Sequence, residues 1–139
     1  MSPLDTLLTT HAAQLQQLLP PHLWPLNPCK TEQFGPLTKY TLGEDQPGIW
    51  AMLHHLRAAD TGAPHDHPVN FHTYIVSGGY VERLYEGGAW RDVARLPGQD
   101  HLIEATCIHS IIELPAGESW SLCFAGPVVR EWKHYPELI

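Results

Sequence analysis

A chain of 139 residues makes one domain with a single ordinary core. Its net charge of −7, with 8 lysines and arginines scattered along the chain, argues against nucleic acid or an anionic membrane as partner. No apolar run reaches the ~20 residues of a membrane span, and no basic stretch precedes an apolar one at the start. The 3 cysteines lack C-x-x-C spacing and read as reduced thiols, so a cytoplasmic protein is the expectation.

In chain order, residues 2–19 predict an amphipathic helix. Ser2 caps it, Pro3 suits its first turn, and Leu4, Leu7, Leu8, Ala12, Leu15, Leu18 and Leu19 form one apolar stripe. Pro20-Pro21 ends it. Residues 1–24 are thus read as a helical segment and 25–139 as a β domain. With 13 prolines and 11 glycines, the rest breaks into short strands. Pro25 to Pro36 reads as irregular, Leu37–Leu42 and Ile49–Leu56 as strands, the second apolar on both faces like an inner strand. Tyr80–Tyr85 and Ala89–Arg95 predict a hairpin around Glu86-Gly87-Gly88. Ile108–Leu114 and Trp120–Phe124 predict a second one, and the tail from Val128 has no assigned role.

The stretch from Gly62 to Gly79 carries the chemistry. Residues two apart on a strand share a face, so His65 and His67 aim two imidazoles at one point. Pro68 breaks the ladder, and after it His72, Tyr74 and Val76 are expected to face the interior. Asp66 points away from its neighbours' face and is expected to brace the loop. Gly78-Gly79 suits a turn with positive backbone angles. Two imidazoles joined by a third would make a metal site. His101 and His109 compete for that third place.

This stretch resembles the first motif of the cupin superfamily, in which a glycine precedes His-x-His, a glutamate follows, and a glycine closes. His65, His67 and Gly79 occupy those positions, while His72 stands where the glutamate falls. In the second motif His109 matches the histidine and Glu113 stands for the asparagine, with Glu104 and Thr106 at the proline and glycine positions. The order Pro97-Gly98, Leu102-Ile103, His109, then Trp120–Phe124 resembles the same motif, and this favours His109 over His101. The resemblance, covering residues 37–126, implies an all-β jelly-roll sandwich or barrel with the helix outside.

It also implies a metal held by His65, His67 and His109, with His72 and Tyr74 lining the catalytic pocket. Cupins that use three histidines without the glutamate include thiol dioxygenases and β-diketone-cleaving dioxygenases. A neutral histidine set leaves a divalent metal its full charge and open positions. Fe(II) is the metal expected, with zinc, nickel, copper or manganese also suited to imidazole, and an oxidoreductase the expected class. A binding module without turnover and a metal-dependent isomerase or lyase are the rival readings. The resemblance further implies a homodimer.

Overall fold

The computed structural model of the protein describes residues 1–60 and 62–139. Helix α1 (Pro3–Leu18) starts at a reciprocal cap. The Asp5 N–H donates to Ser2 Oγ at 3.1 Å, and the Ser2 N–H donates to the Asp5 carboxylate at 3.3 Å. Among the described residues no helix is long and apolar enough to cross a membrane.

Among the described residues nine strands follow: β1 (Lys30–Phe34), β2 (Leu37–Gln46), β3 (Ile49–Leu56), β4 (Phe71–Ser77), β5 (Tyr80–Glu86), β6 (Ala89–Arg95), β7 (Asp100–Ile103), β8 (Ile108–Glu113) and β9 (Ser119–Ala125). They form two antiparallel sheets, one of six strands in the order β1-β2-β3-β9-β4-β7 and one of three in the order β6-β5-β8. This is the all-β jelly roll with its helix outside that the sequence implies.

Two sequence expectations are corrected. The segment read as irregular contains β1, whose mostly exposed residues show no apolar alternation and gain order by pairing with β2. The second hairpin does not form, because β8 pairs with β5 while β9 crosses to lie between β3 and β4. The reason lies in β9 itself: its residues are apolar or small on both faces, six of the seven are buried, and such a strand belongs in the middle of a sheet.

The two faces of the six-stranded sheet differ. Leu53, Val76, Trp120 and Leu122 meet Leu7, Leu15 and Leu19 of the helical segment in one apolar layer. The inner face carries Thr73, whose hydroxyl donates to Cys123 Sγ at 3.6 Å, with His54 on the far side of that sulfur. At the turn from β4 to β5, Gly78 and Gly79 have φ of 81° and 80°. A Cβ on either would strike the backbone of Glu118 or Arg95, so glycine is required at both.

Candidate metal centre

The histidines are assembled by backbone pairing. After β3 the chain returns beside β8, where the N–H of His65 donates to the carbonyl of His109 and the N–H of His109 donates back, each at 3.0 Å. The His67 N–H donates to the carbonyl of Ala105, also at 3.0 Å. The alternation of an extended chain then turns both imidazoles of the His-x-His pair to the side His109 occupies. His65, His67 and His109 each present a ring nitrogen within 4.8 Å of the other two.

The spacing fits a metal. The Nε2 atoms of His67 and His109 stand 3.0 Å apart. Two nitrogens bound at about 2.1 Å to one ion, at angles between octahedral and tetrahedral, lie about 3.0–3.4 Å apart. The ring centroids are 4.6 Å apart for His67 and His109, 5.0 Å for His65 and His109, and 5.3 Å for His65 and His67. Burial, with His109 and His65 beside it, pushes the His67 imidazole down to about 3. Burial followed by the proximity of His109 also lowers His65. Both rings are therefore neutral near pH 7, the form in which imidazole binds a cation. The three histidines can hold a divalent metal.

Behind them lies Glu82, a residue the sequence reading did not single out. Its side chain on β5 is buried, at 0 % exposure. Burial alone would raise its carboxyl, but hydrogen bonds from His101, His109 and Arg95 hold it well below the usual carboxylate range. The Glu82 Oε1 atom accepts from His109 Nδ1 at 3.2 Å, and Oε2 accepts from Arg95 Nε at 2.8 Å. An ionised carboxylate only accepts, so Nδ1 of His109 is the donor in that contact, and its Nε2 is the nitrogen turned to the other two histidines.

Asp66 points the opposite way from its neighbours and ties down the C-terminal tail. Its carboxylate accepts from the Lys133 N–H at 2.8 Å and from the Tyr135 hydroxyl at 2.7 Å, with Arg130 at 3.1 Å. The strap thus anchored brings Trp132 and His134 over His65, with ring centroids at 6.0 Å and 5.7 Å. This gives the tail the role that the sequence leaves open.

The expectation that His72 and Tyr74 face the three histidines is corrected. The interior register runs through odd-numbered residues on both sides of Pro68, so Phe71, Thr73 and Ile75 point inward. Phe71 meets the His67 ring at 5.7 Å. Tyr74 instead packs edge-on to Phe124 at 5.9 Å against the helix-side core. His72 lies against Tyr74 and pairs with Asp100 at 2.7 Å. Both line an open cavity of about 940 Å³, whose wall includes Leu18 of the helix and, toward the histidines, Phe71. His101 stays outside the cluster: its Nε2 lies 3.2 Å from the Tyr80 hydroxyl and 3.4 Å from Glu82, and Nδ1 has no partner among the described residues. A sequence signal for Glu82 existed only as an acidic residue at an inward position of a strand.

No protein-family model matches the chain, and no curated protein does either. Solved structures match it at low identity. The polyketide cyclase RemF from Streptomyces resistomycificus aligns with a TM-score of 0.59 at 18% identity, covering 76% of this chain and 78% of that one. Hydroxypropylphosphonic acid epoxidase from S. wedmorenis aligns at 0.57 and 10% identity, covering 71% and 56%. An oxalate decarboxylase from Lactobacillus farciminis aligns at 0.57 and 14%, covering 76% and 33%. The chain spans about half of a matched chain from work on DMSP lyases, 52%, and about a third, 34%, of a 7S globulin from Momordica charantia. These likenesses show the fold, a jelly roll of the cupin type. Among the described residues the chain carries a three-histidine cluster, His65, His67 and His109.

Proposed function

We propose that the protein is a metal-dependent cupin of the dioxygenase type. In this reading His65, His67 and His109 hold one Fe(II), and the substrate is a small organic molecule, thiol- or β-diketone-like. The observation that carries it is the 3.0 Å approach of two imidazole nitrogens, one of them backed by a buried carboxylate. Two unprotonated nitrogens at that distance repel each other unless a proton or a cation lies between them. The metal would supply Lewis acidity or dioxygen activation. The chain's own residues do the rest. Glu82 fixes the tautomer of His109. The strap holds Trp132 and His134 at the rim and keeps His65 only 22% exposed. Phe71 gives the site an apolar wall.

The test is elemental analysis of untagged protein purified without chelator, with His65→Ala and His109→Ala beside it. Iron near one per chain, absent from both variants, is the expected result, followed by oxygen uptake with thiols or diketones. Stoichiometric zinc or nickel lost in both variants would keep the site and redirect the search to isomerase or lyase chemistry. Full metal content in the variants, or none in the parent after anaerobic reconstitution, would sink the assignment and leave a small-molecule-binding module. Light scattering checks the homodimer.

A further inference from the structure

Resting on the metal reading, we propose that Glu82 is a positioning carboxylate that sets the charge of the centre through His109. The three-histidine cluster has no anionic ligand. At the position where the cupin motif places a carboxylate ligand, this chain has His72, which lies on the other face of the sheet beside Asp100. None of the three ligands is a carboxylate, so no ligand offsets the charge of a divalent cation. Glu82 stands one hydrogen bond further out, with Oε1 on His109 Nδ1 at 3.2 Å.

Its burial is the second observation. A carboxylate at 0 % exposure is costly unless its oxygens are satisfied. Oε2 alone would serve Arg95, which reaches it at 2.8 Å from β6, and His101 at 3.4 Å. A purely structural ion pair would leave Oε1 with no reason to face a ring whose other nitrogen closes on His67 at 3.0 Å. His109 thus bridges the carboxylate and the cluster. A ring that donates Nδ1–H to a carboxylate is a more basic ligand at Nε2, and losing such a partner typically weakens a metal site about 10–100-fold. Arg95 makes the effect of neutralising Glu82 larger, because its own charge is then left beside the site.

The test is Co(II) titration against a competing chelator, using the full chain, Glu82→Gln and Leu122→Ala. Glutamine keeps the size and the acceptor but removes the charge. Leu122→Ala weakens the fold from the helix side and controls for stability. The expected result is Co(II) affinity about 10–100-fold lower in Glu82→Gln and unchanged in folded Leu122→Ala. Equal affinity in Glu82→Gln and the parent would overturn the proposal, as would an equal loss in both variants. If Glu82→Gln does not fold, proton–nitrogen NMR of the zinc-loaded parent decides. A hydrogen-bonded Nδ1–H on His109 supports the proposal, and a His109 that carries its proton on Nε2 overturns it. A parent that binds no Co(II) fails the metal reading itself, a result distinct from any in the Glu82 comparison.

Discussion

The two faces of the six-stranded sheet are made from alternate residues of the same strands, yet they do different work. On β3, Leu53 faces the helix and is fully buried, while the next residue, His54, faces inward with its Nε2 enclosed and without a partner among the described residues. On β9, Leu122 and Cys123 divide in the same way. The outer face holds the fold by excluding water from aliphatic surface. The inner face, poor in such surface, carries groups that must be hydrogen-bonded, neutralised or liganded. Stability and chemistry can therefore be broken separately, one residue apart.

The largest expected effect is on the outer face. Leu122→Ala leaves a cavity beneath α1 and should cost about 2–5 kcal/mol in denaturant unfolding. Metal content per folded chain should stay unchanged. A loss of metal in folded Leu122→Ala would show that the faces are coupled.

The inner face should show itself through pH. Burial, and secondarily Lys39, push the His54 imidazole down to about 4 from an ordinary 6.5. The unfolded chain therefore takes up a proton that the folded one refuses between those values. Stability tied to His54 is fully present above about pH 6.5 and falls as pH drops toward 4, by about 3 kcal/mol in all. Stability measured against pH should fall less steeply over that range in His54→Gln than in the parent. Parallel curves would remove His54 from the account.

Smaller effects follow at the edges. Ser2→Ala removes the helix cap and should cost about 1 kcal/mol, read as a lower unfolding midpoint. His72→Ala should change least. Its hydrogen-bonded contact with Asp100 is exposed enough to contribute about 0–1 kcal/mol, and metal content should equal that of the parent. Metal loss in His72→Ala would return that residue to the site and undo the assignment of faces.

The sequence made some of this legible and hid the rest for physical reasons. His65 and His67 could be read because two imidazoles two residues apart must share a face wherever the backbone is extended. His109 needed the motif order, since nothing local separates it from His101. His72 and Tyr74 were assigned to the wrong face because Pro68 was expected to shift the register. The odd-numbered register instead continues through the loop, and the irregularity comes later, between Ile75 and Ser77. β1 was invisible because pairing, not composition, makes it a strand. Glu82 could not be found because its partners His109, His101 and Arg95 come from three other strands.

Asp66 lies between the two histidines of the pair and takes its donors from Lys133, Tyr135 and Arg130. These donors lie beyond β9, so the loop bearing His65 and His67 is clasped by residues that belong to neither sheet. A cut in the chain between Ala125 and Arg130 would spare every strand and every histidine of the cluster and still release the loop that carries two of them. The clasp is thus a handle on the site that lies outside both the scaffold and the ligands.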